Sequence, residues 1–311
     1  VPSVYAESSN GRLAPRFYIR GLGNVDFDVA ASQPVSIIMD EVVLENVVLK
    51  SSPLFDIEQV EVSRGPQGTL FGRNTPAGVV KFISAKPTDE FDAFAQVAYG
   101  SYNTVTAQAA VGGPLVDGVL SARISGLVQR RSDWVDNAFT GVDNALGGYE
   151  EFAGRVQLLF TPTEEFSALL NFHARTLDGT SALFRANIIA PGTGDLVPGN
   201  YIRDTVYYDG GGDNPQAADG WGASGKLEYD FGGAVLTSIT AFETADDVSR
   251  GDIDGGAGFG PGFPPPIPFP ADTQDSVDDL DQFTQEVRLA SDGDGRLGWQ
   301  LGFYYFDSDL V

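Results

Sequence analysis

Few side chains here could do covalent chemistry. The 311 residues include no cysteine and a single histidine, His173. Thiolate catalysis, disulfides and cysteine metal sites are therefore excluded. His173 falls on the polar side of an alternating segment, the place of a structural or lumen-lining histidine, and no serine–histidine–acid grouping can be argued from spacing. The glycine patterns are not phosphate sites either. Gly21-Leu22-Gly23 lacks the third glycine of a dinucleotide fingerprint, because Asp26 takes its place, and residues 65–73 lead into no Gly-Lys-Ser/Thr. The acidic stretches 251–256 and 292–295 lack the ligand ladder of a calcium loop. No catalytic residue, metal site or cofactor is assigned, and the chemistry expected of this chain is binding rather than catalysis.

Composition narrows the partners. With 43 acidic and 19 basic residues the formal net charge is -24, which repels nucleic acid phosphates and removes that class. Solubility accounts for such a charge; the sharper alternative is acidic loops that hold divalent cations at a lipopolysaccharide surface. No run of eighteen apolar residues is present, so no transmembrane helix is expected. Strands of a membrane barrel remain compatible with the mean hydropathy of -0.08, because they alternate apolar and polar residues. The chain starts at Val1 with no visible signal peptide, which predicts a processed or trimmed N-terminus.

Two kinds of element must position whatever binds. Residues 57–86 read as a short alternating strand around Val60-Glu61-Val62, a polar turn region with Gly65, Gly68, Gly72 and Gly78, and a second strand through Val79-Val80-Lys81-Phe82. Apolar runs at 35–39 and 42–49 and a helical turn near 53–57 complete a small mixed unit over residues 1–88. After Pro87 the pattern changes to period two. In 120–129 Leu120, Ala122, Ile124 and Val128 oppose Ser121, Arg123, Ser125 and Gln129, and in 297–305 Leu297, Trp299, Leu301, Phe303 and Tyr305 share a face. About nine such strands are expected, near 91–99, 104–112, 118–130, 150–161, 165–177, 220–231, 234–246, 281–291 and 296–307. Short turns alternate with long connections at 131–149, 178–219 and 247–280. Outer-membrane barrels, with short periplasmic turns and long extracellular loops, have that asymmetry. Aromatic residues near strand ends fit either membrane girdles or ordinary strand preference.

Arg16 to Gly23 (RFYIRGLG), then PVSIIMDEVVL from Pro34, DIEQVEV from Asp56 and RGPQGTLFGRNTPAGVV from Arg64 together resemble the plug domain of TonB-dependent outer-membrane receptors. The resemblance covers roughly the first quarter of the chain. It implies an all-β transmembrane barrel, of about 22 strands when complete, around an N-terminal mixed α/β plug. This chain would be a partial copy: a plug at 1–88 and the first strands of the barrel at 89–311. The family's TonB box has no recognisable match here.

The resemblance also implies a function: uptake of a scarce solute across the bacterial outer membrane, driven by the TonB–ExbB–ExbD complex, with outer-membrane lipid and lipopolysaccharide around the barrel. Ferric siderophores are the default substrate class. Oligosaccharide, cobalamin or haem import, or a non-transporting surface-binding barrel, are the alternatives. By the resemblance, the loop after RGLG makes Asp26, Phe27 and Asp28 candidate ligand contacts. Phe259 and Phe263, set among six prolines in 247–280, are candidates for stacking on a flat ligand. Arg64 and Arg73 match family arginines that lock the plug to barrel glutamates, and Glu286 resembles one of those glutamates.

Overall fold

In a strand, neighbouring side chains point to opposite faces, so a segment of period two must divide its residues between two environments. The computed structural model, which describes residues 2–26, 28–68, 75–186, 188–209, 214–256, 271–293 and 297–311, shows an unusual division. In Leu120–Arg131 the inward residues Ser121, Arg123 and Ser125 are buried, whereas Ile124 is 55% exposed. In Tyr149–Phe160 Glu151, Arg155 and Gln157 are buried while Phe152, Val156 and Phe160 face outward. Polar residues inside and apolar residues outside invert the arrangement of a water-soluble sandwich and match a wall that meets lipid.

The N-terminal unit contains β1 (Val4–Glu7), β2 (Arg16–Ile19), β3 (Val35–Met39), β4 (Val42–Leu44), β5 (Ile57–Arg64) and β6 (Gly78–Ser84). β1 pairs with β2, and a four-stranded sheet runs β4-β3-β6-β5, with β3 and β6 parallel. β3 and β6 are central and buried on both faces, so they read as continuous apolar runs rather than alternating ones. A 3₁₀ turn forms at Leu49–Ser51, before the expected 53–57. There Ser51 N–H and Oγ and Ser52 Oγ can bond back to the Val48 and Leu49 carbonyls. Pro53 has no N–H to carry a helix onward.

The wall consists of β7 (Asp92–Gly100), β8 (Thr104–Val116), β9 (Leu120–Arg131), β12 (Tyr149–Phe160), β13 (Phe166–Thr180), β15 (Pro215–Asp230), β16 (Ala234–Asp252), β17 (Asp272–Ser291) and β18 (Gln300–Leu310). They form one antiparallel nine-stranded sheet in chain order from β7 to β18, not closed on itself. The long connections carry three more strands, β10 (Val135–Asn137), β11 (Val142–Leu146) and β14 (Thr205–Val206). They form a separate small sheet over a core of Val135, Leu146, Val206 and Tyr208.

The N-terminal unit sits against the inner face of the wall. Its buried apolar residues, among them Leu13, Ile19, Val47 and Leu49, share one cluster with Leu177, Ile239, Ala241, Val277 and Leu280 of the wall. Polar seams surround that cluster. Gln282 of β17 donates to the Val43 carbonyl at 2.8 Å and accepts from the Glu45 N–H at 3.1 Å, so one side chain occupies the free edge of β4. Arg123 donates to both oxygens of Asp56, at 2.6 and 2.8 Å. A polar row crosses the wall in register through Arg155, His173, Gly222, Glu243 and Gln282. His173 Nε2 reaches Glu243 at 3.0 Å across that row. Gly222 lies between them, where a Cβ would stand 2.1 Å from Glu243 Oε2, so glycine is required for the contact.

The β3–β4 turn provides the firmest ionic seat on the far wall. Asp40 and Glu41 both have positive φ, as a two-residue hairpin demands, but neither is the glycine or asparagine that tolerates it best. Their side chains offset that strain. Asp40 accepts from Ser84 N–H and Oγ, both at 2.7 Å, and Glu41 meets Lys226 and Arg288 at 2.8 Å each. Burial raises the Glu41 pKa, but the Lys226 hydrogen bond and the charges of Lys226 and Arg288 outweigh it and hold the carboxyl below its ordinary value. A carboxyl depressed in the folded state stabilises above its unfolded pKa and loses that contribution as pH falls through the folded one. Glu41→Gln should therefore lower plug stability at pH 7 by about 1–2 kcal/mol, given the partial exposure of all three side chains. The deficit should vanish below about pH 4. Urea midpoints for both proteins at pH 7 and pH 3.5 measure this, and an equal deficit at both values would remove the charge from the explanation.

Candidate functional site

Three segments meet at the end of the wall that carries the long connections. β13 ends at Thr180 and continues as Ser181, Ala182 and Phe184. β16 brings Ser249 and Gly251, followed by Ile253, and β17 starts with Thr273 and Asp275. From the N-terminal unit, the turn after β1 brings Ser9 and Asn10. Together these residues line a cavity of about 350 Å³.

The turn that closes this cavity is held from below and from the side. Arg16, only 1% exposed, donates from Nη1 to Ser9 Oγ at 3.2 Å and Asn10 Oδ1 at 3.4 Å. Its Nε and Nη2 reach the Asp26 carbonyl at 3.1 and 2.6 Å. One guanidinium thus ties the turn that lines the cavity to the neighbouring loop of the N-terminal unit. Laterally, Gln216 of β15 accepts from the Arg12 N–H at 2.7 Å and donates to the Asn10 carbonyl at 2.6 Å. Gly11 has φ +68°, and a Cβ there would stand 2.5 Å from Gln216 Oε1. Arg12 lies 3.7 Å over the Tyr149 ring and 3.5 Å from Glu151.

Of the residues picked out by sequence, Asp26 and Asp28 lie on the second of these loops. Their carboxylates first organise the loop, accepting from the Asp28 and Ala30 N–H at 3.1 and 2.8 Å. Asp28 also faces Asp275, which accepts from the Val29 N–H. Phe27, Arg73, Phe259 and Phe263 lie outside the described residues. Arg64 closes the edge strand β5, is exposed, and among the described residues pairs with no carboxylate. Glu286 faces inward on β17 but meets Arg288, 3.2 Å away on the same strand. The structure does not bring Arg64 to Glu286. Across the described interface charges run in both directions: Arg12 of the N-terminal unit meets Glu151 of the wall, while Glu41 and Asp56 of that unit meet Lys226, Arg288 and Arg123 of the wall. Arg12, Arg16, Glu41 and Asp56 were not singled out by sequence. The only local signals were charges among apolar residues, as in the RFYIR and MDEVV stretches.

A second group lies in the long connections, where Asp209, Asp252 and Asp254 place carboxylate oxygens within 4.8 Å of one another. Burial and the charge of Asp254 push the Asp209 carboxyl up. Asp252 accepts from the Asp209 and Gly255 N–H, and Asp254 from the Gly256 and Ala271 N–H. These bonds make the pair an organiser of its turns.

Residues 1–79 match the family model of the TonB-dependent receptor plug domain. The first quarter of the chain is similar to a TonB-dependent receptor plug. The chain is 27% identical over 172 residues to the pesticin receptor of Yersinia pestis, covering 52% of this chain and 25% of that protein. It is 39% identical over 87 residues to the ferrioxamine B receptor of Salmonella typhimurium, covering 27% of this chain and 12% of the relative. In fold it is similar to the ferric yersiniabactin uptake receptor from Yersinia pestis, with a TM-score of 0.77 at 22% identity over 99% of this chain and 44% of that one. The ferripyoverdine receptor of the Pseudomonas aeruginosa outer membrane gives a TM-score of 0.70 at 14% identity over 99% and 40%. The chain thus spans about a quarter of the pesticin receptor and under half of these solved structures. In fold the chain is a plug with part of a β-barrel.

Proposed function

We propose that this receptor imports a ferric siderophore across the bacterial outer membrane, with TonB, ExbB and ExbD supplying the energy. The observation that carries this reading is the cavity at the loop end of the wall, closed by a plug turn that Arg16 ties to the neighbouring plug loop. A ligand in that cavity touches plug and barrel at once, so its binding energy can bias the position of the plug. Relatives that include ferrioxamine B and catecholate siderophore receptors support the substrate class. The plug–wall ion pairs of Glu41 and Asp56 support a seated plug that transport loosens, beside the lock expected of Arg64, Arg73 and Glu286.

The test is abundance of the protein in the outer membrane with and without an iron chelator, followed by uptake of radiolabelled ferric siderophore. Induction by iron starvation, and uptake that disappears when either this gene or tonB is deleted, are the expected results. Uptake that survives deletion of tonB would sink the energised mechanism. Unchanged abundance and no iron uptake would sink the siderophore reading.

A further inference from the structure

The outer face of the wall carries a groove that packing within the wall does not explain. One register row across five strands reads Ala95, Ala109, Gly126, Gly154 and Ala174, on the face that turns Ile124 and Phe152 outward, and it ends against Trp221 of β15. Val128 and Phe152 rise on the loop side of this row and Val111 and Ile124 on the other, enclosing a groove of about 910 Å³. A Cβ at Gly126 would lie 3.6 Å from the Ala153 carbonyl oxygen, and one at Gly154 would lie 3.8 Å from that of Ser125, both ordinary contacts. The wall therefore has room for a side chain at either position, unlike at Gly222. Glycine inside a strand weakens it, and here the missing side chains leave space for a close approach from outside.

The loop side of the groove is charged. Two register rows nearer the long connections, Arg130 stands on the same face between Val105 and Glu150, with Asp178 next in the row. It lines a second cavity, of about 450 Å³, with Tyr99, Asn103, Ser132 and Glu150. Among the described residues Arg130 pairs with no carboxylate, although Glu150 is its register neighbour. Strand residues at about 3.3 Å each separate Gly126 from Arg130, which matches the reach from a lipid phosphate to the middle of its acyl chain.

We propose that this face binds one phosphorylated glycolipid of the outer leaflet, with an acyl chain in the groove and a phosphate on Arg130. The groove continues the apolar outer face of the wall, whose inverted pattern matches a lipid-facing surface. Its charged side lies toward the long connections, which are extracellular in an outer-membrane barrel. A guanidinium outside any ion pair there suits an oxyanion such as phosphate. Glu150 and Asp178 beside it call for cations as well, and the phosphates of an outer-leaflet glycolipid carry divalent ones. The inference does not depend on what the receptor imports.

The test uses the full-length receptor, stripped of lipid in detergent with magnesium present, and native mass spectrometry to count what binds. The probes are bisphosphorylated lipid A, the same lipid dephosphorylated, and phosphatidylglycerol. One phosphorylated glycolipid should bind at least about tenfold more tightly than either of the others. Gly126→Leu with Gly154→Leu fills the groove, and Arg130→Gln removes the charge; each should weaken that binding by about five- to tenfold. Gly225→Leu, on the same face beside the exposed Leu170 but outside the groove, should leave it unchanged. Heat-modifiable mobility on gels reports whether each variant is folded. Phosphatidylglycerol bound as tightly as the glycolipid, or undiminished binding in the groove-filled and Arg130→Gln proteins, overturns the proposal. If the glycine variants do not fold, Arg130→Gln decides it alone: an unchanged preference for the phosphorylated over the dephosphorylated glycolipid would remove the site.

Discussion

Arg123→Ala is expected to cost the seated plug about 3–5 kcal/mol, because it strands a buried carboxylate. Asp56 takes both of its charge-assisted bonds from Arg123, at 2.6 and 2.8 Å, and the paired side chains are 5% and 3% exposed. Water cannot replace the guanidinium in that seam. Asp92, the second partner at 2.8 Å, is mostly exposed, so its share is small. The diagnostic variant is the double substitution Arg123→Met with Asp56→Leu. Replacing both members of a buried pair by apolar groups of similar size is often neutral, whereas removing one is not. A double-mutant cycle on the urea midpoint of plug unfolding should give a double variant much closer to the parent than to Arg123→Ala. A double variant as unstable as the single one would mean that lost packing, not a stranded charge, is the cause.

The plug should also become more stable as pH rises from about 8 to 10.5, through Lys50. This residue follows Leu49 in the 3₁₀ turn and is 7% exposed, and its Nζ reaches the Val35 carbonyl at 3.4 Å. Burial pushes its pKa down to about 8, against the opposing charge of Glu45. Between that value and the unfolded one, the unfolded chain carries a proton that the folded chain has shed. The unfolded state binds more protons, so stability increases with pH across the window. The full effect is on the order of 3 kcal/mol. Lys50→Met should flatten the dependence and raise stability at pH 7, where the native protein bears the cost of burying an ammonium. Melting of the plug in the detergent-solubilised receptor at pH 7, 8.5 and 10 measures both. Parallel slopes for the two proteins would show that other groups carry the pH dependence.

The wall was legible because period two is a local property. Each of the nine alternating segments corresponds to a strand of the large sheet, since an apolar outer face and a polar inner face against the plug impose opposite demands on adjacent residues. The strands extend past the alternation where that contrast fades. β17 starts at Asp272, not near 281, through a stretch with Asp275, Asp278 and Asp279, and β16 continues to Asp252 past a register shift between Ala245 and Asp247. There both faces of a strand meet water or loops, and the sequence no longer has a reason to alternate. The small sheet of β10, β11 and β14 was not anticipated, because its parallel pair joins Asp136 to Thr205 with no repeating pattern between them.

The site shows the same limit more sharply. The sequence by itself determined that this chain makes a plug-bearing barrel wall, because alternation, loop lengths and the RGLG and RGPQGTLFG stretches are read from neighbouring residues. Only the tertiary structure decided which charges meet. Glu41 lies 185 residues from Lys226 and 247 from Arg288, and Asp56 lies 67 from Arg123. Each pairing depends on strand register and on how deep the plug sits, which no spacing along the chain encodes. An ion pair weakens with distance and with exposure to water, so a shift of one residue in register would turn each cation to the outer face and dissolve the seat.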